Sequence, residues 1–208
     1  MNLIATPLNI RRFAQAGIVS LAMWGLAACG QVAQSEPSEP PLAGATIGGD
    51  VALVDETGKD VSFYDYNGQY RMVYFGYAYC PDICPFDVQR MAKGYEDFKA
   101  EEPELGNKVT PMFITVDPSR DTPEVVAEFT AAFSSDMIGF TGSEEQIAAA
   151  VKAFGAFYSK GEVLENGGYL MDHSRAGILM GPDGDPIALL PVEESAAGVT
   201  QELLKWVK

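Results

Sequence analysis

Histidine is almost absent from this chain: His173 is the only one in 208 residues. A centre built from several imidazoles is therefore excluded. Cysteine is scarce too, with Cys29, Cys80 and Cys84 alone. Three cysteines do not make a disulfide-built scaffold, and an odd number in an exported protein leaves one to be explained. Basic residues are few, 14 Lys and Arg against 29 Asp and Glu, for a formal net charge of −15. Such acidity argues against nucleic acid or anionic lipid as a partner and is otherwise a solubility feature. The apolar run Gly17 to Ala28 is 12 residues long, too short for an ordinary membrane span. No internal repeat is visible, and the aromatic content suffices for a real core.

That short run has the proportions of an export signal. Arg11 and Arg12 supply its positive start and hint at twin-arginine export, and Leu26-Ala27-Ala28-Cys29 closes it. This ending resembles a bacterial lipobox, which implies that Cys29 is acylated and becomes the first mature residue. The alternative is an ordinary signal cut near Ala28, with Cys29 merely adjacent. On the first reading residues 1–28 are a lipoprotein signal, and the protein is exported, on the periplasmic side of a bacterial membrane, anchored by its N-terminal lipid. Cys80 and Cys84 then remain as a pair. Residues 29–49 contain Ser35-Glu-Pro-Ser-Glu-Pro-Pro41, are poor in apolar side chains, and read as a flexible tether. Residues 50–208 make one folded domain.

The chemistry gathers at Tyr74-Phe-Gly-Tyr-Ala-Tyr-Cys80-Pro-Asp-Ile-Cys84-Pro85. A buried strand runs into two cysteines, each followed by proline. Proline pushes the residue before it out of the helical region and suits the first helical position. Cys84 is thus expected as a helix cap with Pro85 in first position, near unpaired N–H groups that lower a thiol pKa. That describes a reactive dithiol, a soft-metal site, or both. A structural disulfide is the plain alternative, although so short a loop stabilises little. Asp82 sits between the cysteines, to tune them or to close the turn.

Periodicity supplies the frame. Strands are predicted at Val51 to Val54 and Val61 to Tyr64, at Met72 to Tyr77, which is continuously apolar apart from Gly76, and at Met112 to Val116. Helices follow from Pro85 (Val88, Met91, Tyr95 and Phe98 inward), from Pro123 behind the cap Thr122 (Val126, Phe129 and Phe133 inward), and from the capping box Ser143-Glu-Glu-Gln146. The last carries Ile147, Val151, Phe154 and Tyr158 at helical spacing. Gly177 to Met180, the turn at Pro182 to Asp185 and Ile187 to Leu190 form a hairpin, and a final helix starts near Ser195. The fold class is α/β: a thioredoxin-like fold with a central mixed sheet, helices on both faces, and a C-terminal hairpin plus helix.

A lone histidine is usually structural, but this fold would carry His173 past the cysteine loop as the chain enters the hairpin. No proline occupies Leu170 to Met180, where thioredoxins place theirs. Two thiolates and an imidazole suit copper, whereas structural zinc normally takes four protein ligands. Met171 and Met180 read as core filler. Three motifs, Gly76-Tyr-Ala-Tyr-Cys80-Pro-Asp-Ile-Cys84-Pro85, Val116-Asp-Pro-Ser-Arg-Asp-Thr-Pro-Glu124 and Asp172-His173-Ser174 ahead of Gly181-Pro-Asp-Gly184, occur in the order found in the Sco/SenC family of copper-binding thioredoxin-fold proteins. The chain resembles that family over most of its folded region. The resemblance implies Cu(I) and Cu(II) held by Cys80, Cys84 and His173, and a role in assembling the binuclear copper centre of cytochrome c oxidase. It departs at Tyr79, where many members have histidine, and at the glycine-rich Glu165-Asn-Gly-Gly168. Asp117, Asp121 and Asp172 are candidates to orient the imidazole, with helix capping an equal reading for the first two.

Three functions compete. The first is a metallochaperone delivering copper to the oxidase copper-centre subunit, in exchange with another copper chaperone or a thioredoxin-like reductant. The second is a thiol-disulfide oxidoreductase using Cys80 and Cys84 to keep the target's cysteines reduced. The third is a lipoprotein whose disulfide is only a staple. His173 separates the first two, because dithiol exchange needs no imidazole.

Overall fold

The computed structural model describes residues 39–81, 83–164 and 167–208. The expected signal, Cys29, Asp82, Glu165 and Asn166 lie outside these residues. Among the described residues, no helix is long and apolar enough to cross a membrane.

Two short strands, β1 (Ala52–Asp55) and β2 (Asp60–Ser62), flank the turn at Gly58, and a 3-10 turn, Phe63–Tyr66, follows. The expected second strand stops at Ser62 because that side chain accepts the N–H of Tyr64 and caps the turn. β3 (Tyr70–Gly76) and β4 (Val109–Thr115) are buried at every residue, as their apolar runs Met72 to Phe75 and Met112 to Ile114 require. Between them run α1 (Ile83–Glu101) and the single turn α2 (Pro103–Gly106). α3 (Pro123–Ala131) starts behind Thr122, whose hydroxyl accepts the N–H of Val125. β5 (Ile138–Thr141) was not foreseen: its Gly139 leaves too short an apolar run to register. α4 (Glu144–Ala153) follows the Ser143 capping box.

The expected helical course through Tyr158 is corrected here. α4 stops at Ala153, Gly155 adopts a φ of 63°, and Tyr158 opens a new strand. That strand, β6 (Tyr158–Val163), pairs antiparallel with β7 (Tyr169–His173) as a separate two-stranded sheet. Then come β8 (Gly177–Met180), β9 (Pro186–Leu190) and α5 (Ala196–Trp206).

The main sheet has the order β2-β1-β5-β4-β3-β8-β9 and is mixed, with β3, β4 and β5 parallel to one another. Helices cover both faces. In register, Tyr74 lies beside Phe113. Tyr74 reaches Asp87 of α1 and Phe113 stacks on Phe129 of α3, which places those helices on one face. Side chains alternate across a strand, so Phe75 points the other way, onto Phe154 at the end of α4. α5 packs against α1 at Gly94, where a Cβ would fall 2.6 Å from that of Val199.

The folded region begins before residue 50. Leu42 and Ile47 pack against the core, Leu42 N–H donates to the Ile187 carbonyl, and Gly48 N–H donates to that of Ala153. Residues 39–49 thus do not behave as the tether read from composition. Two apolar side chains and two backbone bonds suffice to seat them.

Candidate metal centre

β3 delivers the chain to the site and ends at Gly76. Beyond it Tyr77 is buried, Ala78 N–H donates to the Asp121 carboxylate at 2.8 Å, and Cys80 N–H turns back to the Tyr77 carbonyl at 3.2 Å. The helix expected from Pro85 begins two residues earlier, so Cys84 lies in its first turn instead of capping it. First-turn N–H groups have no partner four residues back, so Pro85 forfeits no bond there. The N–H of Cys84 is taken up by the Cys80 sulfur at 3.5 Å.

This arrangement also reverses the expected thiol acidity. Cys84 is fully buried while Cys80 is only half-buried. Its hydrogen bond with Cys80, and then its burial, hold the Cys84 thiol well above the ordinary range. The two sulfurs are not joined as a disulfide.

His173, the last residue of β7, brings its Nε2 to 2.9 Å from the Cys84 sulfur. Its Nδ1 lies 2.8 Å from the Ser174 carbonyl. A carbonyl only accepts, so Nδ1 carries the proton and Nε2 turns its lone pair toward the sulfur. Tyr74 and Tyr77 meet the imidazole edge-on, with centroids 6.1 and 5.9 Å away. Two bonds between Ser174 and Phe157 hold the strand end in place: Ser174 N–H donates to the Phe157 carbonyl at 2.9 Å, and Phe157 N–H to the Ser174 hydroxyl at 2.8 Å. The ligand atoms of Cys80, Cys84 and His173 all fall within 4.8 Å of one another. Two sulfurs and one imidazole nitrogen form a soft, three-donor set, suited to copper and short of the four ligands of structural zinc.

The three aspartates expected beside the imidazole serve other parts. Asp121 is buried and accepts from Ala78 N–H and the Thr115 hydroxyl, so it holds the loop that carries Cys80. Burial raises its carboxyl above the usual range. Asp117 pairs with Arg120 and accepts the Tyr169 hydroxyl at 2.8 Å, while the Arg120 guanidinium stacks on the Tyr169 ring at 3.7 Å. It thereby pins the start of β7. Asp172 is exposed and accepts from the Ser159 hydroxyl at 3.5 Å. The second nitrogen of the imidazole, Nδ1, is taken by the Ser174 carbonyl and by none of the three. Met171 and Met180 are core residues, as expected.

Asp87 and Arg175 were missed. Asp87 is wholly buried in α1, three residues after Cys84, and Arg175 follows His173 by two. The signal was present: Asp87 falls on the same helical stripe as Met91, Tyr95 and Phe98, an acidic residue on an apolar face.

Protein SenC of Rhodobacter capsulatus is 48% identical over 143 residues, covering 67% of this chain and 61% of that protein. The mitochondrial SCO1 homolog of Homo sapiens is 36% identical over 141 residues, 67% of this chain and 46% of its own length. The chain therefore spans about half to three-fifths of these relatives. Among solved structures, Arabidopsis thaliana ScoI with copper bound superposes with a TM-score of 0.71 at 34% identity, over 76% of this chain and 96% of that one. The family model described as SCO1/SenC matches residues 39–208. That match takes in the whole described fold, both halves of the Cys80, Cys84 and His173 site included, and this chain belongs to the SCO1/SenC family.

Proposed function

We propose that this chain is a copper metallochaperone, taking Cu(I) or Cu(II) as cargo on Cys80, Cys84 and His173 and passing it to the binuclear copper centre of cytochrome c oxidase. The observation that carries this reading is the convergence of those three ligand atoms within 4.8 Å. The copper-bound Arabidopsis relative supports it. Cu(I) is soft and tolerates low coordination, so the two sulfurs hold it; Cu(II) adds the imidazole in a tetragonal set. The test is anaerobic copper titration of the reduced full chain, followed by optical and EPR spectra. His173→Ala should keep Cu(I) with a modest loss, while Cu(II) binding collapses with its thiolate-to-copper absorption. Cys80→Ser or Cys84→Ser should weaken both states severely. An unchanged Cu(II) spectrum in His173→Ala would sink the assignment.

A second reading, thiol-disulfide exchange on the target's cysteines, draws support from the half-buried Cys80 with the buried Cys84 behind it. His173→Ala separates the two, because exchange survives it. We also propose that residues 1–28 direct export, that Cys29 carries the lipid anchor, and that a copper donor or a thioredoxin-like reductant recharges the site outside the cytoplasm. Intact mass of membrane-extracted protein should show an acylated chain beginning at Cys29; an unmodified chain would exclude the anchor.

A further inference from the structure

The two halves of the site sit on separate pieces of the fold. Cys84 belongs to α1, while His173 ends a hairpin outside the main sheet. The bonds between Ser174 and Phe157 tie His173 to its own hairpin, and Asp117 and Arg120 anchor only the far end of β7. A different link joins the imidazole end to α1. Arg175 donates to Asp87 through Nε and Nη2, each at 2.9 Å, in a two-pronged pair. The same carboxylate accepts the Tyr74 hydroxyl at 3.0 Å and Arg90 Nη1 at 3.4 Å. Arg175 Nη1 also meets Glu193 at 3.0 Å, so two carboxylates balance two guanidinium groups.

A planar fork on a carboxylate fixes direction as well as distance. Asp87 is wholly buried in α1, one turn from Cys84. Arg175 is two residues from His173, a backbone reach of at most about 7 Å. Holding one end of that span confines the other to within that reach.

We infer that Asp87 and Arg175 form a positioning pair that holds His173 Nε2 against Cys84 Sγ, and thereby sets the affinity and geometry of Cu(II) without touching the ion. The metal arm of this inference rests on the copper reading above. Groups that orient a ligand commonly change metal affinity 10- to 100-fold when removed. Arg175→Gln in the full chain should therefore weaken Cu(II) about 10- to 100-fold and alter its EPR spectrum, with Cu(I) affinity within about threefold of the parent. Arg175→Lys keeps the charge but not the fork and should fall between. In the metal-free reduced chain, Arg175→Gln should speed amide hydrogen exchange at residues 172–176 about tenfold or more, with α3 unaffected.

His173→Ala serves as the reference. If it leaves the Cu(II) spectrum unchanged, the copper reading fails, and exchange at residues 172–176 alone decides the pair. A folded Arg175→Gln with parental exchange, Cu(II) affinity and spectrum overturns the inference. Should Arg175→Gln not fold, fully parental behaviour of Arg175→Lys overturns it.

Discussion

At the scale of single residues, the Cys84 proton is the feature with the most direct consequence. Its hydrogen bond with Cys80 and its burial push the thiol up, so it is protonated at neutral pH. Copper binds the thiolate and must displace that proton. Affinity for Cu(I) should therefore rise with pH, about tenfold per unit for this one proton, in competition titrations between pH 6 and 8. A flat profile would mean that Cys84 is already ionised. The same two sulfurs set a redox limit. Oxidation removes two electrons and two protons and joins Cys80 to Cys84, which leaves no thiolate for the metal. Mild oxidation should yield that disulfide by mass mapping and abolish copper loading; full loading of the disulfide form would refute the idea.

Among the elements, the contact of α1 with α5 bears on the site from behind, because α1 carries Cys84 and Asp87. Gly94 makes that contact. A Cβ there would lie 2.6 Å from Val199 Cβ and 2.7 Å from the Ala196 carbonyl. Alanine ordinarily favours a helix by about 1 kcal/mol over glycine, but overpacking costs about 1–3 kcal/mol. Gly94→Ala should thus destabilise the fold or leave it unimproved in denaturant unfolding, and a gain near the full helical preference would contradict the packing. Much at this scale was legible. Thr122, Ser143 and Ser195 each cap the helix their position announced. The hairpin of β6 and β7 was not, because Tyr158 to Val163 is mostly exposed and polar and offers no alternation to read.

For the whole molecule, buried tyrosines set the alkaline limit. Burial first, and then Cys80 beside Tyr77 and the Asp136 carboxylate beside Tyr95, raise these two phenols to about 12, and Tyr74 is driven higher still. In the unfolded chain these phenols ionise near pH ~10. A raised folded pKa means that the stabilisation is whole below that pH and is lost as pH climbs toward the folded values. Stability should decline above pH ~10, by at most about 1.4 kcal/mol per unit for each such tyrosine. Chemical denaturation at pH 9, 10 and 11 checks this; a constant midpoint would show that the phenols ionise in place.

The amino-acid sequence by itself determined the cysteine loop at the end of β3, the buried parallel strands, the caps, and the one imidazole available. Each depends on local pattern: apolar runs, cap residues, proline position, a count of one. Only the tertiary structure decided how those pieces act on one another. It turned Cys84 into a buried thiol with a raised pKa, gave Nδ1 of His173 to the Ser174 carbonyl instead of an aspartate, and brought Arg175 onto Asp87 across 88 residues. Burial and ion pairing arise from neighbours distant in the chain, and the Ser174 carbonyl, although next in sequence, meets Nδ1 only because the folded strand end turns it there.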